Sequence, residues 1–330
     1  LAQRLLQDTQ VKLASEQTQK SANWSIQTEL AAGLNAPQAS ISPKYLYDPL
    51  GSKLFEAICI LDEYYPTRTE ADIFALHAED IAATIGQGVT LIDLGAGNCA
   101  KAAHLFASLQ PRQYVPVDIS ADFLRESVAA LRQKFPSLPI VEVAMDFSSS
   151  LHLPTGVGHE HRLFFYPGSS LGNFAPEEAL QFLRRIRQNL PLGQHGGLLI
   201  GIDLIKDKAL LDAAYDDDLG LTATFNRNVL RHVNRLLGSN FVLNDWLHRG
   251  FFNPVEERVE MHLEARRDVI VSWPDKGNRR FLQGDRIHTE NSYKFTPDGF
   301  GELLRCAGFG QSKMWFDPHH WFMLCHTRPI

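Results

Sequence analysis

The chain has no CxxC pair, and no run of about 20 apolar residues that would suit a membrane span. Its four cysteines, Cys59, Cys99, Cys306 and Cys325, are scattered without metal-ligand spacing. They read as reduced thiols of a cytoplasmic protein with no metal, not as a disulfide framework. Positive charge is also short: 32 Lys and Arg stand against 38 Asp and Glu, a formal net charge of -6. That balance argues against nonspecific nucleic-acid binding. The opening LAQRLLQDTQ carries charges where a signal peptide is apolar. A soluble protein with no membrane and no nucleic acid among its partners is expected, and no long exposed apolar helix face demands a second copy, so a monomer is expected too.

What is present suits a large α/β fold. With 330 residues, 44% of them hydrophobic, the chain can build a Rossmann-like sheet and a second domain. Strands are expected at Val89 to Leu94, Gln113 to Val117, Ile140 to Ala144, Arg162 to Tyr166 and Gly197 to Leu204, with helices between them, best seen at Asp122 to Phe135 and Pro176 to Leu190. Such alternation implies a mostly parallel sheet covered by helices. A helix from Thr296 to Ala307 and two strands, Gln311 to Phe316 and Trp321 to Thr327, close the chain, and the short DPHH turn predicts an antiparallel hairpin. Between them the alternation breaks. Residues 206–237 read as helices and 241–295 carry strand-like alternation, as in Val259, Met261, Leu263 and Ala265. The expected division is 68–205 plus 296–330 for the sheet domain and 20–67 plus 206–295 for a second α+β domain, after a lead-in at 1–19.

The first strand runs into LIDLGAGNCAK, residues 91–101. Gly95 and Gly97 remove the side chains that keep a ligand off the backbone. The turn alone fits several nucleotide-like cofactors, and Ala100 stands where the dinucleotide fingerprint has its third glycine or an alanine. Asp118, after the second strand, suits two ribose hydroxyls and fits NAD and S-adenosylmethionine equally. Ser120 beside it is an equally good helix cap. Asp146 and Phe147 follow the third strand, where an acid and an aromatic suit an adenine amino group and ring. That third acid and the closing hairpin favour S-adenosylmethionine, with S-adenosylhomocysteine as product. Asp93 then falls near the methionine end, and Lys101 near the cofactor carboxylate at a helix N-terminus.

After the fourth strand comes YPGSSLGNF, residues 166–174, at the carboxyl end of the sheet where open α/β folds bind ligands. Asn173 offers a carbonyl to an amine as well as an NH2 donor. Methyl transfer from a sulfonium to nitrogen needs alignment and loss of a proton rather than a covalent nucleophile, and no nucleophile with a base beside it is apparent.

The blocks YDPLGSKLFEAIC, DEYYPTRTE, LGAGNCAK, GSSLGNF, AYDDDLGLTATFNRNVL and TENSYKF resemble those of the histidine-specific Nα-methyltransferases of ergothioneine biosynthesis, a resemblance that runs from about Ser40 to Phe316. The resemblance implies a seven-stranded class I methyltransferase sheet, with a second domain built from an N-terminal segment and an insertion. It implies conversion of L-histidine through its mono- and dimethyl forms to N,N,N-trimethylhistidine (hercynine). An N-methyltransferase of another free amino acid such as tryptophan is the alternative. Carried over block by block, cofactor roles fall on Tyr47, Gly95, Lys101, Asp118, Asp146 and Phe147. Substrate roles fall on Tyr64, Asn173, Tyr215, Glu290 and Ser292, with Gly168 lining the approach. The resemblance puts Tyr64 and Asn173 at the amino end and Tyr215 at the carboxylate, while Glu290 and Ser292 read the imidazole. Tyr64, Asn173 and Glu290 are the expected catalytic groups. Met261 is expected to pack against the ring. The continuation NCA after the glycine turn, and Asn291 and Tyr293 flanking the Glu/Ser pair, depart from the usual pattern without removing a ligand group.

Overall fold

The computed structural model describes residues 24–330; the lead-in expected at 1–19 lies outside the described residues. The chain forms two compact units. One takes residues 24–51, Ala223–Arg249 and Met261–Glu290, and the other takes Ser52–Thr222, Gly250–Glu260 and Asn291–Ile330. The sequence-based division gave 52–67 and 206–222 to the second domain. Packing groups them with the sheet, because Tyr65 and Lys206 both bond to Asp203 at the end of a central strand.

The larger unit is built on a seven-stranded sheet in the order β11-β12-β5-β4-β1-β2-β3. Its strands are β1 (Thr90–Leu94), β2 (Gln113–Asp118), β3 (Val143–Ala144), β4 (Arg162–Tyr166), β5 (Gly197–Asp203), β11 (Lys313–Phe316) and β12 (Phe322–Thr327). The pairs among β1 to β5 are parallel, whereas β12 runs antiparallel to both β5 and β11, as the DPHH hairpin predicts. β1, β4 and β5 are buried at every position, the mark of a sheet covered on both faces.

Alternate residues of each strand serve opposite faces. Ile92, Val115, Phe164, Ile200 and Met323 join one core with Phe182 and Ile186 of α7 (Pro176–Gln188) and Phe300 and Leu304 of α10 (Pro297–Cys306). Leu91, Tyr114, Phe165, Leu199 and Leu324 join the other, with Ile73, Ile81 and Ile85 of α3 (Tyr65–Ile85) and Leu124 and Val128 of α6 (Ala121–Lys134). Pro176 opens α7, where its missing N–H costs nothing, and Glu178 accepts from the Ala175 N–H at 3.0 Å. Only the third strand is much shorter than the sequence suggested. It forms a bridge at Ile140 opposite Tyr114 and re-enters the ladder at Val143, as an edge strand with a half-exposed break at 141–142.

The smaller unit holds helix α1 (24–35), the 3-10 turn Pro43–Leu46, most of α9 (Leu221–Leu237) and the antiparallel hairpin of β8 (Val269–Trp273) and β9 (Gly277–Phe281). Trp246 packs edge-on against Phe281, with ring centres 5.1 Å apart. Asp48 ties this unit internally, accepting from Gly51 N–H at 2.8 Å, from Asn228 at 2.7 Å and from Arg235. A three-stranded sheet in the order β10-β7-β6 consists of β6 (Trp246–Asn253), β7 (Arg258–Ala265) and β10 (Arg286–Tyr293), strands that carry residues of both units. Among the described residues no helix is long and apolar enough to cross a membrane.

Candidate active site

The glycine turn after β1 has the backbone its composition demands. Gly95 and Gly97 sit at φ +72° and +53°, and Cys99 follows in the same left-handed region at 61°. A Cβ on either glycine would meet nothing nearer than Phe147 at 3.8 Å or the Gly95 carbonyl at 4.0 Å, so the space over the turn is open. Asp118, at the end of β2, accepts from Gly97 N–H at 3.0 Å and from Ser120 N–H at 2.9 Å, one bond on each oxygen. A carboxylate oxygen has further lone pairs, so Asp118 keeps acceptor capacity for a diol. An open glycine turn beside a spare-acceptor carboxylate fits the ribose end of S-adenosylmethionine.

The other cofactor candidates divide. Asp146 accepts from Ser148 N–H at 3.0 Å and from the Ser148 hydroxyl. Phe147 packs edge-on to Tyr166 and tilted to Phe182, partly in the core, while its ring edge faces Gly95. Asp93 is turned inward: it is 2% exposed and accepts from the Tyr114 hydroxyl at 2.7 Å. Burial pushes its carboxyl up to about 7, against the pull of that hydrogen bond. Tyr47 belongs to the smaller unit, edge-on to Phe225 at 5.6 Å.

Lys101 has a partner that sequence reasoning missed. Its ammonium lies 2.5 Å from Glu70 Oε2, and Glu70 Oε1 accepts from Gly168 N–H at 2.8 Å. Burial works against the Lys101 charge, but the Glu70 carboxylate outweighs it and holds the lysine above its ordinary pKa. The buried carboxylate needs room, and Gly201 of β5 supplies it: a Cβ there would stand 2.2 Å from Glu70 Oε1. One carboxylate thus fixes both the first helix after the glycine turn and the start of the loop after β4. That loop passes close to the lysine, since a Cβ on Gly168 would lie 3.2 Å from Lys101 Nζ.

Gly168, at φ +73°, and Ser169, at 58°, turn the chain into the 3-10 turn Ser170–Asn173. Ser169 Oγ accepts from the Asp203 N–H at 2.8 Å. Gly172 lies flat on the end of β10, because a Cβ there would be 2.7 Å from the Tyr293 carbonyl oxygen and 3.0 Å from its nitrogen. The GSSLGNF loop and the SYKF stretch are therefore packed backbone to backbone. Asn173 closes that turn.

Next to them lies a buried polar cluster whose members no spacing or motif along the chain links. The Asp203 carboxylate accepts from Lys294 at 2.7 Å, from the Tyr65 hydroxyl at 2.8 Å and from Lys206. Burial opposes the Asp203 charge, but the two ammonium groups outweigh it and hold the carboxyl below its usual range. Burial also pulls Lys206 down to about 8, despite Asp203. Lys294, fully buried, reaches on to Ser292 Oγ at 2.8 Å and to the Tyr215 hydroxyl at 3.1 Å. Tyr215 donates to Ser292 at 2.8 Å, and its ring meets Tyr64 edge-on at 6.2 Å. Three of the residues proposed for substrate, Tyr64, Tyr215 and Ser292, are thereby adjacent.

Glu290 and Met261 fall in the smaller unit. Both are buried, Glu290 on β10 and Met261 on β7, and Thr289 Oγ1 donates to the Met261 carbonyl at 3.0 Å. Glu290 and Ser292 are two residues apart on one strand, so they share a face. Of the residues missed from the sequence, Glu70 bonds to Lys101 and Gly168, and Lys294 bonds to Tyr215 and Ser292, while Tyr65, Asp203 and Lys206 join the cluster through Asp203 and Lys294. Glu70, Tyr65 and Lys294 lie inside the quoted blocks DEYYPTRTE and TENSYKF, which was the available signal.

Comparison with known proteins gives the family. The chain is 38% identical over 314 residues to the histidine N-alpha-methyltransferase of Mycolicibacterium smegmatis, covering 93% of this chain and 96% of that one. It is 36% identical, over the same shares, to the enzyme of that name from Mycobacterium tuberculosis. A 31% match joins 82% of this chain to 31% of ergothioneine biosynthesis protein 1 of Neurospora crassa. The sequence profile of the histidine-specific, S-adenosylmethionine-dependent methyltransferases matches residues 26–329, and the chain belongs to that family.

Proposed function

We propose that the protein transfers methyl groups from S-adenosylmethionine to the α-amino nitrogen of L-histidine, through the mono- and dimethyl products, to N,N,N-trimethylhistidine. This is the hercynine-forming reaction of ergothioneine biosynthesis, and with four free thiols the enzyme suits the cytoplasm. One observation carries the reading beyond family membership. The contact of Gly172 with Tyr293 joins the loop bearing Asn173, whose start at Gly168 lies close to Lys101 of the cofactor turn, to the strand end bearing Ser292, and through Ser292 to Tyr215 and Tyr64.

S-adenosylmethionine, when bound, supplies an electrophilic methyl group. The chain's residues then have to hold a neutral amine in line with it. In this reading Asn173 and Tyr64 accept the amine hydrogens of histidine and of its monomethyl product and so turn the nitrogen lone pair toward the donor, with no covalent intermediate on the protein. Each of the first two products loses one proton before the next transfer, and the dimethyl amine, which carries no N–H, is aligned by its surroundings alone. Glu290 accepts from one imidazole N–H and Ser292 faces the other ring nitrogen, while Met261 bounds the ring. An indole or phenol, with one polar atom, leaves one of that pair unpaired, at roughly 1 to 3 kcal/mol for a buried group. Mass spectrometry of reactions holding S-adenosylmethionine and single amino acids tests the reading. Mono-, di- and trimethylhistidine should appear in turn, whereas methylation of tryptophan with none of histidine would overturn it.

A further inference from the structure

Glu70, on α3, is a buried carboxylate, 1% exposed, with both oxygens committed. Oε2 meets the Lys101 ammonium at 2.5 Å, and Oε1 accepts from the Gly168 N–H at 2.8 Å. Among the described residues these are its two donors. Lys101 is less fully occupied. It gives one hydrogen to Glu70, its side chain is 39% exposed, and an ammonium has three hydrogens, so two remain for another acceptor.

Gly168 opens a loop that has little freedom. Ser169 Oγ accepts from the Asp203 N–H, the Gly172 N–H donates to the Ser169 carbonyl at 2.9 Å, and Gly172 is seated against the backbone of Tyr293. A shift at Gly168 is therefore passed along the turn to Asn173, which closes it. The Glu70 carboxylate thus stands between a lysine of the cofactor turn and the loop of the acceptor site.

A buried carboxylate needs its charge matched. An anion that engages the outer hydrogens of Lys101 shares the ammonium with Glu70, and the donor left to compensate Glu70 is the Gly168 N–H. Hydrogen bonds to an ionised acceptor are the strong ones, so the loop is then held more firmly. Linkage requires the converse: an acceptor molecule that fixes the loop supports the Glu70 charge and frees Lys101 for the anion.

We propose that Glu70 is a positioning residue that couples the two ligand sites, reading the carboxylate of the cofactor's amino-acid end through Lys101 and setting the Asn173 loop through Gly168. The two ligands then bind more tightly together than apart. This deepens the function proposed above and rests on it for the acceptor and for the role of Lys101.

S-adenosylhomocysteine carries the same carboxylate as the methyl donor, whereas 5′-methylthioadenosine lacks the whole amino-acid end. Calorimetry of L-histidine is run on the full chain alone and with each nucleoside at saturation. S-adenosylhomocysteine should tighten histidine at least about fivefold, as for ordinary coupled sites, and 5′-methylthioadenosine should leave it unchanged. In Glu70→Gln the amide oxygen still accepts from Gly168 while Lys101 loses its carboxylate, so each ligand should bind alone and S-adenosylhomocysteine should no longer tighten histidine. A merely structural role would weaken each ligand alone and leave the coupling in place. Equal tightening by the two nucleosides, no tightening by either, or coupling that survives in Glu70→Gln would overturn the proposal. The nucleoside comparison needs no variant, so it decides the matter if Glu70→Gln does not fold. Lys101→Gln, which keeps a donor for Glu70, separates the underlying reading: it should weaken S-adenosylhomocysteine and spare 5′-methylthioadenosine. Equal losses of both would refute the role of Lys101 and the proposal with it. A protein that binds tryptophan but not histidine refutes the histidine reading, and the same comparison made with tryptophan then still decides the role of Glu70.

Discussion

Glu70 and Gly201 make a coupled pair whose energetics can be worked out in advance. Replacing Glu70 by alanine leaves the Gly168 N–H without its acceptor, which costs about 1 to 3 kcal/mol for a group away from water. The Lys101 side chain is 39% exposed, so water repairs most of its loss and that part adds about 1 kcal/mol or less. The expected destabilisation is thus about 1 to 4 kcal/mol. Gly201→Ala places a Cβ 2.2 Å from Glu70 Oε1 and 3.0 Å from two ring atoms of Phe322, an overpacking that costs about 1 to 3 kcal/mol. Once Glu70 is gone the worse of these clashes is gone too. The double variant should then be more stable than the sum of the single losses by at least about 1 kcal/mol, well outside the ~0.5 kcal/mol within which independent sites add. Urea unfolding of the four proteins measures this directly. Additivity within that margin would show that Gly201 is not there to make room for the carboxylate.

Other expectations follow from the same geometry. Gly172→Ala pushes the loop off the Tyr293 backbone and should raise the KM for histidine at least about tenfold while S-adenosylhomocysteine affinity holds, as calorimetry would show. Asn173→Ala should weaken histidine far more than S-adenosylhomocysteine, and Asp118→Ala the reverse; equal losses of both ligands in either variant would refute that partition. The Asp93 carboxyl is raised by burial to about 7 from 3.8, so the unfolded chain releases this proton first and the folded state loses stability as pH rises from about 4 to 7. Three units amount to about 4 kcal/mol at most. Asp93→Asn keeps an acceptor for Tyr114 and should match the wild type near pH 4 yet exceed it near pH 8 in denaturant melts, and identical pH profiles would contradict the inward carboxyl.

The sheet was legible because its strands are buried on both faces. Leu91, Ile92, Phe164 and Phe165 have to be apolar in succession, and the end of each strand is marked by a glycine, an acid or a turn. The third strand misled, since an edge strand owes fewer residues to the core and shows a shorter pattern. Asp93 misled for a different reason. An acid at a strand end reads as a ligand group whichever way it points, and only the position of Tyr114 shows that it points inward. Domain limits were hard to place because the chain passes between units in the middle of continuous elements: α9 and β10 each belong to both.

Residues that touch ligands leave a mark in sequence, but the groups that decide how those residues behave do not. Ser292 by itself can donate or accept, and no pattern of neighbours along the chain settles the matter. Lys294, two residues on, donates to it at 2.8 Å, and Asp203, at the end of β5, lies 2.7 Å from Lys294 and supports its charge against burial. Asp203 in turn is tied to the loop after β4, through the hydroxyl of Ser169, and to α3, through Tyr65. Four separate stretches, DEYYPTRTE, GSSLGNF, the β5 end and TENSYKF, thus meet at one buried residue, a convergence that no spacing along the chain displays.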